Sequence, residues 1–338
     1  MRENLDKQPS FTSLKWFNFF VYGTIVLFTS FFQLYLQDAG MNKLEIGSVM
    51  SMGALVSIVA NPFWGIWTDR SQNIRRIVML MLTGTLVISQ LVFQANTYEM
   101  IYVSIILFYF FQGPLFAQSN TMILSYINGT THRFGSFRLW GSMGWALTAV
   151  IAGPILEWAG VSVLSYLFTA LLCASMVALL ALPKLEQSIG MAPLPFKGFS
   201  RNFYNPFFLC FILFGILVSI PNTMNNTFMS LYITDLGGSK SMIGLAVFLS
   251  SILEVGVFIL CDRFLKRKIS VLLGWLAFVS ALFALRWWLM ADATTALQVA
   301  FIQILHCITF GGFFYVGTQL TMLLVPRSYR SSGQLFYR

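Results

Sequence analysis

Of the 338 residues, 57% are apolar and only 10% are charged, and the mean hydropathy is +0.74; soluble domains carry about 25% charged residues, so this composition excludes an ordinary water-soluble fold. The net charge of +9 would fit a nucleic-acid partner in a soluble protein. Here the charges sit in short islands between apolar stretches of ~20 residues, the length that crosses ~30 Å of hydrocarbon as a helix. The partner is therefore a lipid bilayer and not a nucleic acid. Cys173, Cys210, Cys261 and Cys307 all lie in apolar stretches without paired spacing, so they define no disulfide framework, and we expect no metal and no cofactor.

The segment from Met1 to Lys15 is too polar for a cleavable signal, so the first apolar stretch is expected to stay in the membrane. Apolar runs then predict helices over Trp16–Gln37, Glu45–Trp67, Ile77–Gln94, Tyr98–Ile127, Leu139–Ile155 and Ser162–Leu182. A polar linker follows, and four more helices are predicted over Phe207–Ile233, Met242–Cys261, Ile269–Met290 and Thr295–Leu324. The expected fold is an all-α integral membrane protein with a six-helix bundle over 1–182, a cytoplasmic linker over 183–205 and a four-helix bundle over 206–338.

Charge assigns the orientation. With the N-terminus in the cytoplasm, 18 of the 21 Lys and Arg residues fall inside, Lys43 and Lys240 fall outside, and Arg286 lies within a helix. Cytoplasmic loops collect basic residues, so a multi-pass protein of the cell (inner) membrane with a cytoplasmic N-terminus is expected.

An internal repeat carries more weight than any single motif. Leu34, Tyr35, Asp38, Gly40, Lys43, Ile46 and Gly47 recur as Leu231, Tyr232, Asp235, Gly237, Lys240, Ile243 and Gly244, every pair 197 positions apart. Both copies then reach an Asp-Arg pair, Asp69-Arg70 and Asp262-Arg263, followed by basic residues. Many secondary transporters are built from two such halves, with the solute site near the membrane midplane. In this register the second half lacks two helices of the first, and the expectation is ten transmembrane helices of a full twelve.

The segment Gly65-Ile66-Trp67-Thr68-Asp69-Arg70, followed by Arg75-Arg76, resembles the signature loop between the second and third helices of the major facilitator superfamily. That resemblance implies two pseudo-symmetric helical bundles and a conformational latch formed by Gly65, Asp69, Arg70, Arg75 and Arg76. Ile74 separates Asn73 from the basic pair, a small departure from the family pattern. Phe134-Gly135-Ser136-Phe137-Arg138-Leu139-Trp140-Gly141-Ser142 resembles the start of the fifth helix in the phenylpropionate permease group, relatives of the lactose permease and of other proton symporters. Its motif residues are Arg138, Trp140 and Gly141. The stretch from Arg286-Trp287 to Gln303, His306 and Thr309-Phe310 resembles the same group. Gly333 to Tyr337 is similar to the start of that group's eleventh helix. The 20-residue separation of Arg286 and His306 matches an Arg and His of the lactose permease coupling network, but Thr309 stands where that protein has an acidic residue.

Independently of resemblance, ionisable groups inside helices are costly and mark cavities or partners. Glu254, Arg286 and His306 are the three that qualify. Rise per residue puts Glu254 and His306 roughly 15–18 Å below the outer ends of their helices, where they could meet, and Arg286 about 6 Å down, where snorkelling is also open to it. Glu254 is the candidate proton carrier, with a static ion pair as its alternative. His306 is a proton relay, a solute contact or a packing residue. Asn18, Tyr22, Gln33, Gln112, Gln118 and Asn120 in the first half, and Asn222, Asn225 and Gln303 in the second, are solute-facing or interhelical polar groups. Gly113-Pro114 is expected to break the fourth helix.

The function expected is a secondary active transporter, a monomer taking up a small organic solute such as an aromatic acid, sugar or nucleoside together with protons. Efflux by the same kind of carrier and a non-transporting truncated remnant or sensor are the alternatives. With two histidines, and no clustered nucleophile or metal set, the sequence does not read as an enzyme.

Overall fold

In hydrocarbon the backbone must satisfy its own hydrogen bonds, so an apolar run long enough to span becomes a helix. What remains to be decided is where each helix stops. A computed structural model describes residues 11–71, 73–128, 130–132, 134–183, 206–265 and 268–324, and the predicted tail motif at Gly333–Tyr337 and nearly all of the 183–205 linker lie outside them. The chain divides into two units, Met1–Met191 and Ala192–Arg338.

The first unit contains α1 (Thr12–Asp38), α2 (Lys43–Ser71), α3 (Ile74–Gln94), α4 (Tyr98–Gln112), α5 (Leu115–Ile127), α6 (Phe134–Ala159) and α7 (Leu164–Leu180), with a short 3₁₀ turn at Val161–Val163. The second contains α8 (Pro206–Asp235), α9 (Lys240–Phe264), α10 (Ile269–Ala291), α11 (Ala296–Ile302) and α12 (Leu305–Leu324). Among the described residues eight segments are long and apolar enough to cross a membrane, with α4–α5 and α11–α12 each counting as one. Together with the 30-residue α8 and the 25-residue α9 they occupy the ten predicted positions.

The repeat identified in the sequence is a repeated stop signal. Gly40 and Gly237 adopt positive φ, 87° and 75°, a conformation glycine reaches without a Cβ penalty. Met41 N–H returns to Leu36 O at 3.1 Å and Gly40 N–H to Gln37 O at 3.0 Å; Gly238 N–H returns to Ile233 O at 2.8 Å and Gly237 N–H to Thr234 O at 2.9 Å. This is the Schellman pattern, formed twice. The next helix then starts on a matched cap: Asn42 Oδ1 accepts from Leu44 N–H and Glu45 N–H at 3.0 Å, and Ser239 Oγ accepts from Met242 N–H at 3.2 Å. Asn42 and Ser239 share the 197-residue register without being identical. Tyr35 donates to Phe93 O at 2.8 Å in the last turn of α3, and Tyr232 to Met290 O at 3.2 Å in the last turn of α10 and to Ala293 O at 2.8 Å just beyond it.

Helix α1 is the axis of the first unit, with 72% of its most apolar stretch buried. Phe28 stacks on Phe32 at 4.1 Å and on Phe108 at 4.3 Å, and Phe168 closes the column at 6.1 Å from Phe28. Small residues let α6 approach: a Cβ at Gly144 would collide with the backbone of Phe19, the close contact that packs helices where no hydrophobic force separates them from lipid. In the second unit Leu272, Val279, Phe283, Phe313 and Val316 form the buried cluster joining α10 to α12.

Several helix boundaries differ from expectation: α1 starts at Thr12 and α6 runs from Phe134 to Ala159, beyond the predicted Trp16 and Leu139–Ile155. The tenth predicted helix, drawn unbroken, is interrupted between α11 and α12. There Ile304, His306 and Cys307 N–H groups bond three residues back, to Phe301, Gln303 and Ile304 carbonyls, a local 3₁₀ tightening. The second predicted helix runs on past Trp67 to Ser71.

Gly144→Ala is expected to lower the stability of the purified protein by about 1–3 kcal/mol through overpacking. Gly65→Ala, whose new Cβ meets no described atom within 4 Å, is expected to be neutral or stabilising by up to about 1 kcal/mol through helix propensity. Thermal unfolding of the two variants in one detergent checks the pair, and equal shifts would refute the packing assignment.

Candidate functional site

In the second unit Arg286, on α10, is fully buried rather than snorkelling to the surface. Its Nη2 donates to Gln303 Oε1 at 2.6 Å, its Nη1 lies 3.1 Å from His306 Nδ1, and the face of its guanidinium packs 4.6 Å from the Trp287 ring centre. Arginine has no acceptor atoms, so the bond to His306 uses the lone pair on Nδ1, and the proton of a neutral ring sits on Nε2. Gln303 is placed at the break between α11 and α12. Its amide pairs reciprocally with Asn225 of α8, with both N–H···O distances at 3.3 Å. The His306 ring stacks on Phe310 at 5.0 Å and 6°. Arg286 Nε is left without a partner among the described residues.

Glu254, on α9, is partly exposed. Its Cγ would lie 3.1 Å from a Cβ on Gly311 of α12, so the carboxyl arm runs against the same helix that carries His306. Among the described contacts the partners of His306 are Arg286 and Phe310; depth along a helix does not by itself fix the rotation that would bring Glu254 to His306.

In the first unit three separately predicted residues come together. Arg138 Cζ lies 4.4 Å from the Tyr22 ring centre and 5.3 Å from that of Phe116, and Nη1 donates to Ser142 Oγ at 3.4 Å. Tyr22 Oη donates to Asn120 Oδ1 at 3.4 Å. Gly141 explains why its position lacks a side chain, since a Cβ there would fall 2.9 Å from Tyr22 Cδ2. Trp140 packs edge-on to Trp16 at 5.0 Å. A guanidinium held against two aromatic faces keeps its N–H edge for an acceptor. Phe116 is not singled out by the sequence, and Ser142 only as the last residue of the fifth-helix segment; the signal for both is spacing, four residues before Asn120 and four after Arg138, one helical turn in each case. Of the other polar positions, Asn18 Oδ1 accepts from Ser119 Oγ at 2.5 Å and Gln118 Oε1 from Thr68 Oγ1 at 3.1 Å, whereas Gln33 Oε1 is buried without a partner among the described residues.

The signature segment is a helix end and not a loop. Gly65, Asp69 and Arg70 lie in the last turns of α2, and Arg75 and Arg76 in the first turn of α3. Asp69, Arg70 and Arg76 are exposed. Gly65 makes no close approach among the described residues. Arg75 donates to Leu182 O at 2.7 Å and Leu180 O at 2.6 Å. Two hollows, of about 200 Å³ beside Thr148 and about 330 Å³ beside Asp292 and Gln298, are lined by none of the predicted site residues.

Two helical units built from apolar helices of membrane-spanning length fit a membrane transporter of the major facilitator type. The chain belongs to the MFS_1 like family, whose model matches residues 11–338. It is 24% identical to the uncharacterized transporter YwbF of Bacillus subtilis (strain 168) over 99% of this chain and 83% of that protein. It is 26% identical to the maltose permease of Geobacillus stearothermophilus over 74% of this chain and 62% of the permease. A crystal structure of a variant of the nucleoside transporter NupG matches with a TM-score of 0.84 at 17% identity, covering 97% of this chain and 86% of that one. An inward-facing, occupied bacterial homolog of the human lysosomal transporter Spinster matches at 0.70 and 12%, covering 97% and 77%.

Gln303→Leu leaves Arg286 Nη2 without its acceptor and is expected to cost about 1–3 kcal/mol, whereas Gln303→Glu retains an acceptor and is expected to cost less. Denaturation of both variants, with Asn225→Ala as the third corner, tests whether the four side chains act as one unit. Equal loss from Leu and Glu would contradict it.

Proposed function

We propose that the protein takes up a small organic solute with protons, working as a monomer in the cell membrane with its N-terminus in the cytoplasm. Arg286, His306, Gln303 and Glu254 serve coupling and solute contact in the second unit, and Arg138, Tyr22 and Asn120 serve solute contact in the first. The observation that supports this most is the Arg286 cluster: a guanidinium buried in a spanning helix, bonded to neutral acceptors, one helix away from an ionisable carboxyl. Intramembrane ionisable groups are costly and persist where a pathway uses them. Glu254 is the proton carrier in this reading, since a carboxyl in a site that alternates between wet and dry surroundings gains and loses its proton as it moves.

The arginine and amide donors of both clusters suit a solute rich in hydroxyl, carbonyl or carboxylate acceptors. Sugars and nucleosides are of this kind, as the names of the maltose permease and NupG indicate for those proteins, and aromatic acids are a third class. The exposed Asp69, Arg70 and Arg76 form the latch of one conformational state. The boundary between the bundles runs through 183–205.

Proteoliposomes holding the purified protein, with an inward proton gradient, are expected to accumulate one of radiolabelled maltose, uridine or phenylacetate, and a protonophore is expected to abolish the accumulation. Accumulation that survives the protonophore would exclude proton coupling. Glu254→Gln is expected to lower uphill accumulation at least about tenfold, the loss of one driving step, while solute exchange at equal concentrations persists. Undiminished uphill uptake in that variant would remove Glu254 from the mechanism.

A further inference from the structure

Arg75 belongs to the signature segment, yet among the described residues its hydrogen bonds go to the end of the first unit's last helix. Its two terminal nitrogens reach Leu182 O at 2.7 Å and Leu180 O at 2.6 Å. From a different helix, α5, Tyr126 Oη donates to Pro183 O at 2.8 Å. Tyr126 is itself buried, with its ring edge-on to Phe11 at 5.9 Å.

Leu180 is the last residue of α7, and Leu182 and Pro183 follow directly after its end, so the three carbonyls mark where the helix stops. The last amides of the helix are spent on Ala181 N–H to Val177 O and Leu182 N–H to Leu179 O, and the final carbonyls of any helix have no partner further along the chain. Pro183 cannot continue the helix or donate a hydrogen bond. A cation is favoured where the carbonyl ends of a helix gather, and a forked guanidinium engages two of them at once, which an ammonium does not.

We infer that Arg75 and Tyr126 form a clamp that fixes the end of α7 to α3 and α5, at the place where the chain leaves the first unit toward the second. Arg75 is thus a positioning residue of the first unit. The signature segment divides its labour: one arginine anchors the end of the bundle, and the exposed Asp69, Arg70 and Arg76 stay available for contacts that change with conformation. A displacement of the chain beyond Pro183 is transmitted through the clamp to α3 and α5 instead of unwinding the last turn of α7.

Hydrogen–deuterium exchange of the full chain in detergent micelles tests this. Arg75→Gln is expected to speed exchange of amides 177–182 about tenfold, the loss of charge-assisted hydrogen bonds, and to leave amides 164–175 unchanged. Tyr126→Phe is expected to give a smaller rise in the same window, and Arg76→Gln none. Should Arg75→Gln fail to fold, Arg75→Lys is read in the same way, with a rise confined to 177–182. Wild-type exchange in the Arg75 variant that folds, or an equal rise in Arg76→Gln, would overturn the clamp.

Discussion

The bilayer offers no water to a buried polar group, so the backbone of a spanning helix must be satisfied by the protein itself. Buried side-chain donors draw partners toward them even where, as at Arg286 Nε, one is left unmet among the described residues. Arg286 shows the constraint at its most demanding. Its guanidinium draws Gln303 from the break between α11 and α12 and His306 from the start of α12, and Gln303 in turn engages Asn225 of α8. Four elements of the second unit are organised around one cation. The same constraint is met more cheaply elsewhere, where Thr24, Thr85, Ser104 and Ser175 return their hydroxyls to carbonyls three or four residues back.

The two units solve the problem of ending a helix at the membrane edge in the same way. Gly40 and Gly237 each close a Schellman turn, Asn42 and Ser239 each cap the next helix, and Tyr35 and Tyr232 each tie the turn to the end of the third helix in their half. The identities in the repeat are concentrated where backbone geometry leaves little choice. Helix interiors facing lipid or neighbours accept many apolar residues and have diverged.

Within each half, the first-unit cluster and the second-unit cluster differ in kind. Arg138 rests on the Tyr22 and Phe116 rings and bonds to a hydroxyl, whereas Arg286 is enclosed by amide and imidazole groups. An arginine on aromatic faces keeps its donors for an incoming group; an arginine committed to amide and imidazole acceptors must exchange partners to admit one. Exchange of partners is what ties binding to a change of state. The signature segment is likewise split between an inward arginine, Arg75, and outward charges at the ends of α2 and α3.

The sequence by itself determined that the protein lives in a membrane, that ten apolar segments are spaced to span it, and that it has two related halves. These follow from composition, length and spacing, which are properties of the chain in one dimension; its place among the major facilitators came from the resemblance of its motifs. It also singled out Arg286, His306, Gln303, Arg138, Tyr22 and Asn120 as residues, because polar groups in apolar helices stand out. Only the tertiary structure decided their partners. Depth along a helix is legible from residue count, but the direction a side chain faces depends on helix rotation, on breaks such as the one at Gln303, and on which neighbour packs closely enough. For that reason Arg286 is buried and bonded instead of snorkelling, Glu254 runs against the position of Gly311, and Arg75 reaches the end of α7.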